Sequence, residues 1–196
     1  MPPTRARVVA RALRHAPDRL SHGRRRRRAL QALAQRDYPY TFLFVCHGNI
    51  CRSPYAEHAF ARLLPPELAA ETRVCSAGFI SPGRPSPLEA VRSAARRGID
   101  LSAHRSALLT RPETPRSGLV LCMNEEQRAA VCRLIGIPPE DVFVLGDLDP
   151  ESIDTREIRD PFGAEETVFN AAYKRIDRCV AALADAITAG VELARP

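Results

Sequence analysis

No stretch of this 196-residue sequence approaches the roughly 20 consecutive apolar residues that a membrane-spanning helix requires. The arginine-rich N-terminus is not followed by an apolar segment and a small-residue cleavage site, so a secretory signal is not expected. There are six cysteines, at positions 46, 51, 75, 122, 132 and 179, but no CxxC pair and no Cys/His ligand spacing. A structural zinc site is therefore not expected, and nothing else spaces ligands for a metal or implies a cofactor. In a mid-sized chain without an export signal, such thiols read as reduced and the protein as cytoplasmic. No internal repeat is present.

The charge is unevenly placed. The net charge is +6, yet residues 1–40 alone hold eleven arginines against Asp18 and Asp37, a local balance of +9. The other 156 residues carry 18 basic and 21 acidic groups, a balance of −3. Residues 1–40 thus form a basic extension, helical or disordered. Val8, Val9, Ala12 and Leu13 suit a short helix that Pro17 interrupts, with Leu30 and Leu33 resuming beyond Arg24 to Arg28. One reading is a solvated, frayed tail. The other is docking to acidic lipid or an acidic partner, which would hold the protein peripherally at a membrane, each basic residue contributing about 1 kcal/mol near an anionic surface. Nucleic acid is disfavoured, because no aromatic residue for base stacking lies among the arginines.

From residue 41 to about 190 strands and helices alternate, followed by a short tail at 191–196. Thr41 to Val45 is a fully apolar run, the signature of a buried parallel strand. A helix is predicted over 55–64, opened by Pro54 and ended by Pro65-Pro66. Further strands are expected at 72–77, 119–122 and 142–145, and helices at 87–97, 125–134 and 165–189. The spacing predicts an α/β three-layer sandwich around a central four-stranded parallel sheet. Ligands in such folds bind beyond the carboxyl ends of the strands.

At the end of the first strand lies Cys46-His-Gly-Asn-Ile-Cys-Arg-Ser53. Gly48 lets the backbone bend so that N–H groups from His47 to Ser53, Ile50 and Cys51 among them, can surround an anion. The following helix adds its positive end, and Arg52 can hold two phosphate oxygens with its planar guanidinium. The same donors suit a thiolate at Cys46, the form that acts as a nucleophile. Ser53 either donates its hydroxyl to the sulfur or caps the helix at Pro54; both roles fit.

Val45 to Pro54 closely resembles the signature of the low-molecular-weight protein tyrosine phosphatases. Ser76-Ala-Gly78 and Asp160-Pro-Phe-Gly163 resemble two further motifs of that family, and the similarity spans about 41–187. The resemblance implies a protein tyrosine phosphatase of two steps. Cys46 attacks phosphorus to form a phosphocysteine, and Asp160 protonates the leaving phenol and then activates water. By itself an Asp before proline would read as a turn former. Asn49 resembles the residue that holds the loop's shape and His104 the histidine that bonds to it, with Cys51 a partner for a reversible disulfide with Cys46. His47, Ile50 and Phe162 would form the substrate rim. Phe162-Gly163 replaces the tandem tyrosines of animal members, which fits a bacterial type acting on phosphotyrosine, often of a bacterial tyrosine kinase.

Two alternatives remain at this level. A thioredoxin-coupled arsenate reductase of the same fold would need two further cysteines near the loop, for which Cys122 and Cys132 are candidates. Members of that group tend to carry Gln where Pro54 stands, and both cysteines lie in apolar settings. A phosphotyrosine-binding scaffold without turnover would keep the loop but not need the acid.

Overall fold

The computed structural model describes residues 5–35, 41–110 and 118–194, with side-chain surroundings from residue 15 to 191 within them. Four strands, β1 (Thr41–Cys46), β2 (Arg73–Gly78), β3 (Gly118–Cys122) and β4 (Val142–Val144), form one parallel sheet in the order β2-β1-β3-β4. The register sets Cys46 beside Gly78 and Val45 beside Cys122, so the carboxyl ends of the two central strands and β2 share one edge. Side chains along β1 alternate between faces. Phe42, Phe44 and Cys46 join the larger core with α2 (Arg52–Ala61), α4 (Leu88–Ala95) and α6 (Glu166–Ala194). Leu43 and Val45 join the smaller one, beneath α5 (Glu125–Ile135). Helices thus cover both faces, and the expected three-layer α/β sandwich is what forms.

Several local expectations change. Pro65-Pro66 ends one helix but also opens another, α3 (Pro66–Glu71), since proline is favoured in a first turn. Helix α2 begins at Arg52, not near Pro54, so the proline sits inside its first turn. Helix α6 continues to Ala194 and takes in four residues of the expected tail.

The largest difference is at the N-terminus. Residues Arg5–Ala34 form one helix, α1, that runs through Pro17. A proline inside a helix costs about 3 kcal/mol, because it removes one N–H and crowds the carbonyl four residues earlier. Contacts beyond Pro17 oppose that cost. Leu33 is fully buried in the larger core, with Ala29 and Leu30 packed against it. At Gly190 an added Cβ would lie 2.6 Å from the Ala34 carbonyl oxygen, so α1 meets α6 at backbone distance. Val8, Val9, Ala12 and Leu13 belong to the helix, but the environment of their side chains lies outside the described residues.

Candidate active site

Strand β1 delivers Cys46 to the carboxyl edge of the sheet, and the chain then turns through residues 47–51 into α2. Asn49 carries the bend, with φ 50°. The left-handed residue is thus Asn49 and not Gly48, a correction that follows from the ability of Asn to bond its own surroundings in that conformation. Its side chain is fully buried and every polar atom is used. Nδ2 donates to Ser53 Oγ (2.9 Å) and Ser76 Oγ (2.8 Å), while Oδ1 accepts from the Ala107 N–H (2.7 Å). His104 Nε2 donates to the Asn49 backbone carbonyl at 2.7 Å, which fixes that tautomer. His104 therefore supports Asn49 through its main chain. Gly78 permits this closure, because a Cβ there would sit 2.8 Å from the Asn49 nitrogen.

Ser53 Oγ, held by Asn49, lies 3.1 Å from Cys46 Sγ and can donate to it. The N-cap of α2 is Cys51, with no side-chain cap bond, so the capping role for Ser53 does not occur. Behind the loop Tyr173 donates from its hydroxyl to the Cys51 carbonyl (3.3 Å) and stacks on Tyr55 at 3.8 Å between ring centres. Burial pushes the Cys51 thiol well above its ordinary value, with the charge of Cys46 a further cause, so Cys51 stays protonated.

Arg52 is buried. Its Nη1 donates to the Ile158 carbonyl (3.0 Å), its Nη2 bonds the Asp160 carboxylate, and its Nε finds no acceptor among the described residues. Asp160 does serve its turn, since Oδ1 accepts from the Phe162 N–H at 3.2 Å, but its other oxygen reaches the loop arginine 108 positions away. Asp160 thus closes its own turn and reaches the loop arginine at once. Together these groups line a cleft of about 310 Å³ formed by Cys46, His47, Gly48, Ile50, Cys51, Arg52, Ile80, Arg84, Asp160 and Phe162. His47 and Phe162 are exposed at its mouth, whereas Ile50 is buried in the wall.

The sequence reading missed Ile80, Arg84, Ser76 and Ala107. Ser76 lay in a quoted motif, but its bond to Asn49 depends on strand register. Arg84 comes from a loop whose backbone N–H is held by Ser106 Oγ (2.9 Å), and no motif marked it. The cysteines proposed for a reductase are not brought to the cleft. Cys122 is fully buried in the core on the opposite face of the sheet from Cys46, where burial raises its thiol, and Cys132 packs against that same core.

A cysteine at the tip of a parallel strand, an arginine in the next helical turn and a carboxylate closing over both define a cysteine-dependent phosphatase. Comparisons with known proteins make this specific. A family model described as low molecular weight phosphotyrosine protein phosphatase matches residues 41–193. The probable low molecular weight protein-tyrosine-phosphatase EpsP of Ralstonia nicotianae is 36% identical over 141 residues, 71% of this chain and 90% of that protein. Among solved structures, Vibrio vulnificus Wzb in complex with benzylphosphonate has a TM-score of 0.64 at 27% identity, covering 74% of this chain and 97% of its own. The arginine phosphatase YwlE of Geobacillus stearothermophilus has a TM-score of 0.68 at 27% identity, covering 81% and 99%. The chain belongs to the low-molecular-weight protein tyrosine phosphatase family of phosphoric monoester hydrolases.

Proposed function

We propose that the cleft hydrolyses phosphotyrosine in proteins, with Cys46, Arg52 and Asp160 as the catalytic residues. The carrying observation is that the Asn49–Ser53–Cys46 chain and the Arg52–Asp160 pair converge in one cleft. The phosphoryl group takes Arg52 and the loop N–H groups, which frees Asp160 toward the leaving oxygen. The Cys46 thiolate attacks phosphorus, the bond to the phenol oxygen breaks, and Asp160 supplies the proton to that oxygen. Water then attacks the phosphocysteine and gives its proton to Asp160. The sulfur–phosphorus bond breaks, returning the thiolate and free phosphate. Ser53 stabilises the sulfur as a leaving group by its hydrogen bond.

The lining also favours an aryl ester over phosphoarginine. Ile50, Ile80 and Phe162 suit a phenyl ring. A guanidinium would instead face the like charge of Arg84 in the same cleft. The resemblance to bacterial members points to a bacterial tyrosine kinase as the protein substrate. Cys51, beside the nucleophile and kept as a thiol, would take up an oxidised Cys46 as a disulfide. Arg24, Arg27 and Arg28 stay exposed on α1 and would serve an acidic lipid surface or partner.

Hydrolysis of p-nitrophenyl phosphate and a phosphotyrosine peptide tests the central reading. Cys46→Ser should lose turnover by a factor of about 10⁴ or more. Asp160→Asn should lose roughly 10²–10⁴-fold, most with poor leaving groups. A parent protein that binds vanadate yet releases no product would identify a scaffold instead.

A further inference from the structure

The chain approaches Asp160 through residues 147–157, and this segment is held largely by ions from two helices. Arg178 on α6 donates twice to Asp149, at 2.8 and 2.9 Å. The other grip comes from α1, outside the region matched by the family. Arg25 Nε donates to Asp147 Oδ1 at 3.0 Å, and Asp147 in turn takes Arg156 at 2.6 Å. Asp18 Oδ2 accepts from the backbone N–H of Arg156 at 3.0 Å. That N–H lies two residues before Ile158, whose carbonyl receives Arg52, and four before Asp160 itself.

We propose that α1 is a positioning element for the acid step, with Asp18 and Arg25 fixing the segment that carries Asp160 over the Cys46 cleft. The inference rests on the reading of Asp160 as the acid. The phosphate loop is tied down by Asn49, Ser53, Ser76 and His104, none of them on α1. Disturbing α1 should therefore weaken proton delivery and spare phosphate binding. Ile158 N–H is also anchored independently, to the Met123 carbonyl at 2.9 Å, so the loss should be partial.

The test compares full-length variants on phenyl phosphate, whose leaving group needs a proton, and 2,4-dinitrophenyl phosphate, whose leaving group does not. For Asp18→Ala, kcat/KM on phenyl phosphate should fall roughly 10-fold, a misplacement effect. Loss on the dinitrophenyl ester should stay below about 2-fold, and inhibition by inorganic phosphate should not change. Asp18→Asn keeps an oxygen acceptor for the Arg156 N–H and should restore most of the loss. In an Asp160→Asn background, Asp18→Ala should add nothing. Equal loss on both esters, no loss on either, or a further loss in that background would overturn the proposal. An Asp160→Asn protein with the parent's leaving-group dependence would instead remove the acid reading beneath it.

Discussion

Asn49 holds a left-handed backbone that costs a non-glycine residue about 1–2 kcal/mol, and four hydrogen bonds surround the place where it does so. Those bonds make the nucleophile's setting rigid: Asn49 orients Ser53, and Ser53 orients toward the sulfur. Cys51 lies in the same loop, and its proposed role is a different one. On the proposed reading, peroxide would convert the Cys46 thiolate to a sulfenic acid, which would condense with the Cys51 thiol to a disulfide and release water. Activity lost to peroxide should thus return in the parent on adding dithiothreitol, and should return far less in Cys51→Ser. A parent that reductant fails to revive would exclude this protection. The eight-residue loop was legible in the sequence because its parts are contiguous. Ile80 and Arg84 were not, since only the folded path of the chain after β2 brings them to the cleft. The role of Ser53 hinged on where α2 begins, a boundary that sequence patterns place only to within a few residues.

At the scale of elements, the segment between β4 and Asp160 is organised by buried charge. Burial pushes Asp149 upward, but the bonds from Arg178 and the Glu151 N–H, with the charge of Arg175, outweigh it and hold the carboxyl below its ordinary value. A carboxyl depressed in the fold stabilises it fully above the unfolded-state value of about 3.9 and loses that contribution as pH falls through the lower folded value. Arg178→Met should therefore destabilise the fold at pH 7 by less than the roughly 3–5 kcal/mol of a buried charge left wholly unpaired, because Arg175 still bonds Asp149. The gap from the parent should narrow below pH 4 in denaturant titrations, and a pH-independent gap would assign the effect to packing. The alternation of strand and helix was legible because β1, β3 and β4 are largely apolar and the longer helices keep a periodic face. Helix α1 was not, because a local rule about Pro17 is overridden by contacts with residues more than 100 positions away.

For the whole molecule, composition divides the charge more sharply than the fold does. Arg25 bonds Asp147 and Arg26 donates to the Leu148 carbonyl at 3.3 Å, so part of the basic extension is spent on the body. Arg24, Arg27 and Arg28 remain outward. Replacing these three with Gln should weaken co-sedimentation with phosphatidylserine vesicles by roughly 100-fold at low salt, at about 1 kcal/mol each. A parent that ignores such vesicles would exclude the lipid reading of this face. Among the described residues no helix is long and apolar enough to cross a membrane.

The meeting of α1 and α6 at Gly190 bears on which substitutions the chain can accept. A methyl group there would press on the Ala34 carbonyl, so tolerance at position 190 is conditional on what lies more than 150 residues earlier. In a saturation library of the full chain, position 190 should accept little but glycine. In a library lacking residues 1–40, the same position should open to larger side chains, making the first helix a hidden determinant of the last helix's mutational spectrum.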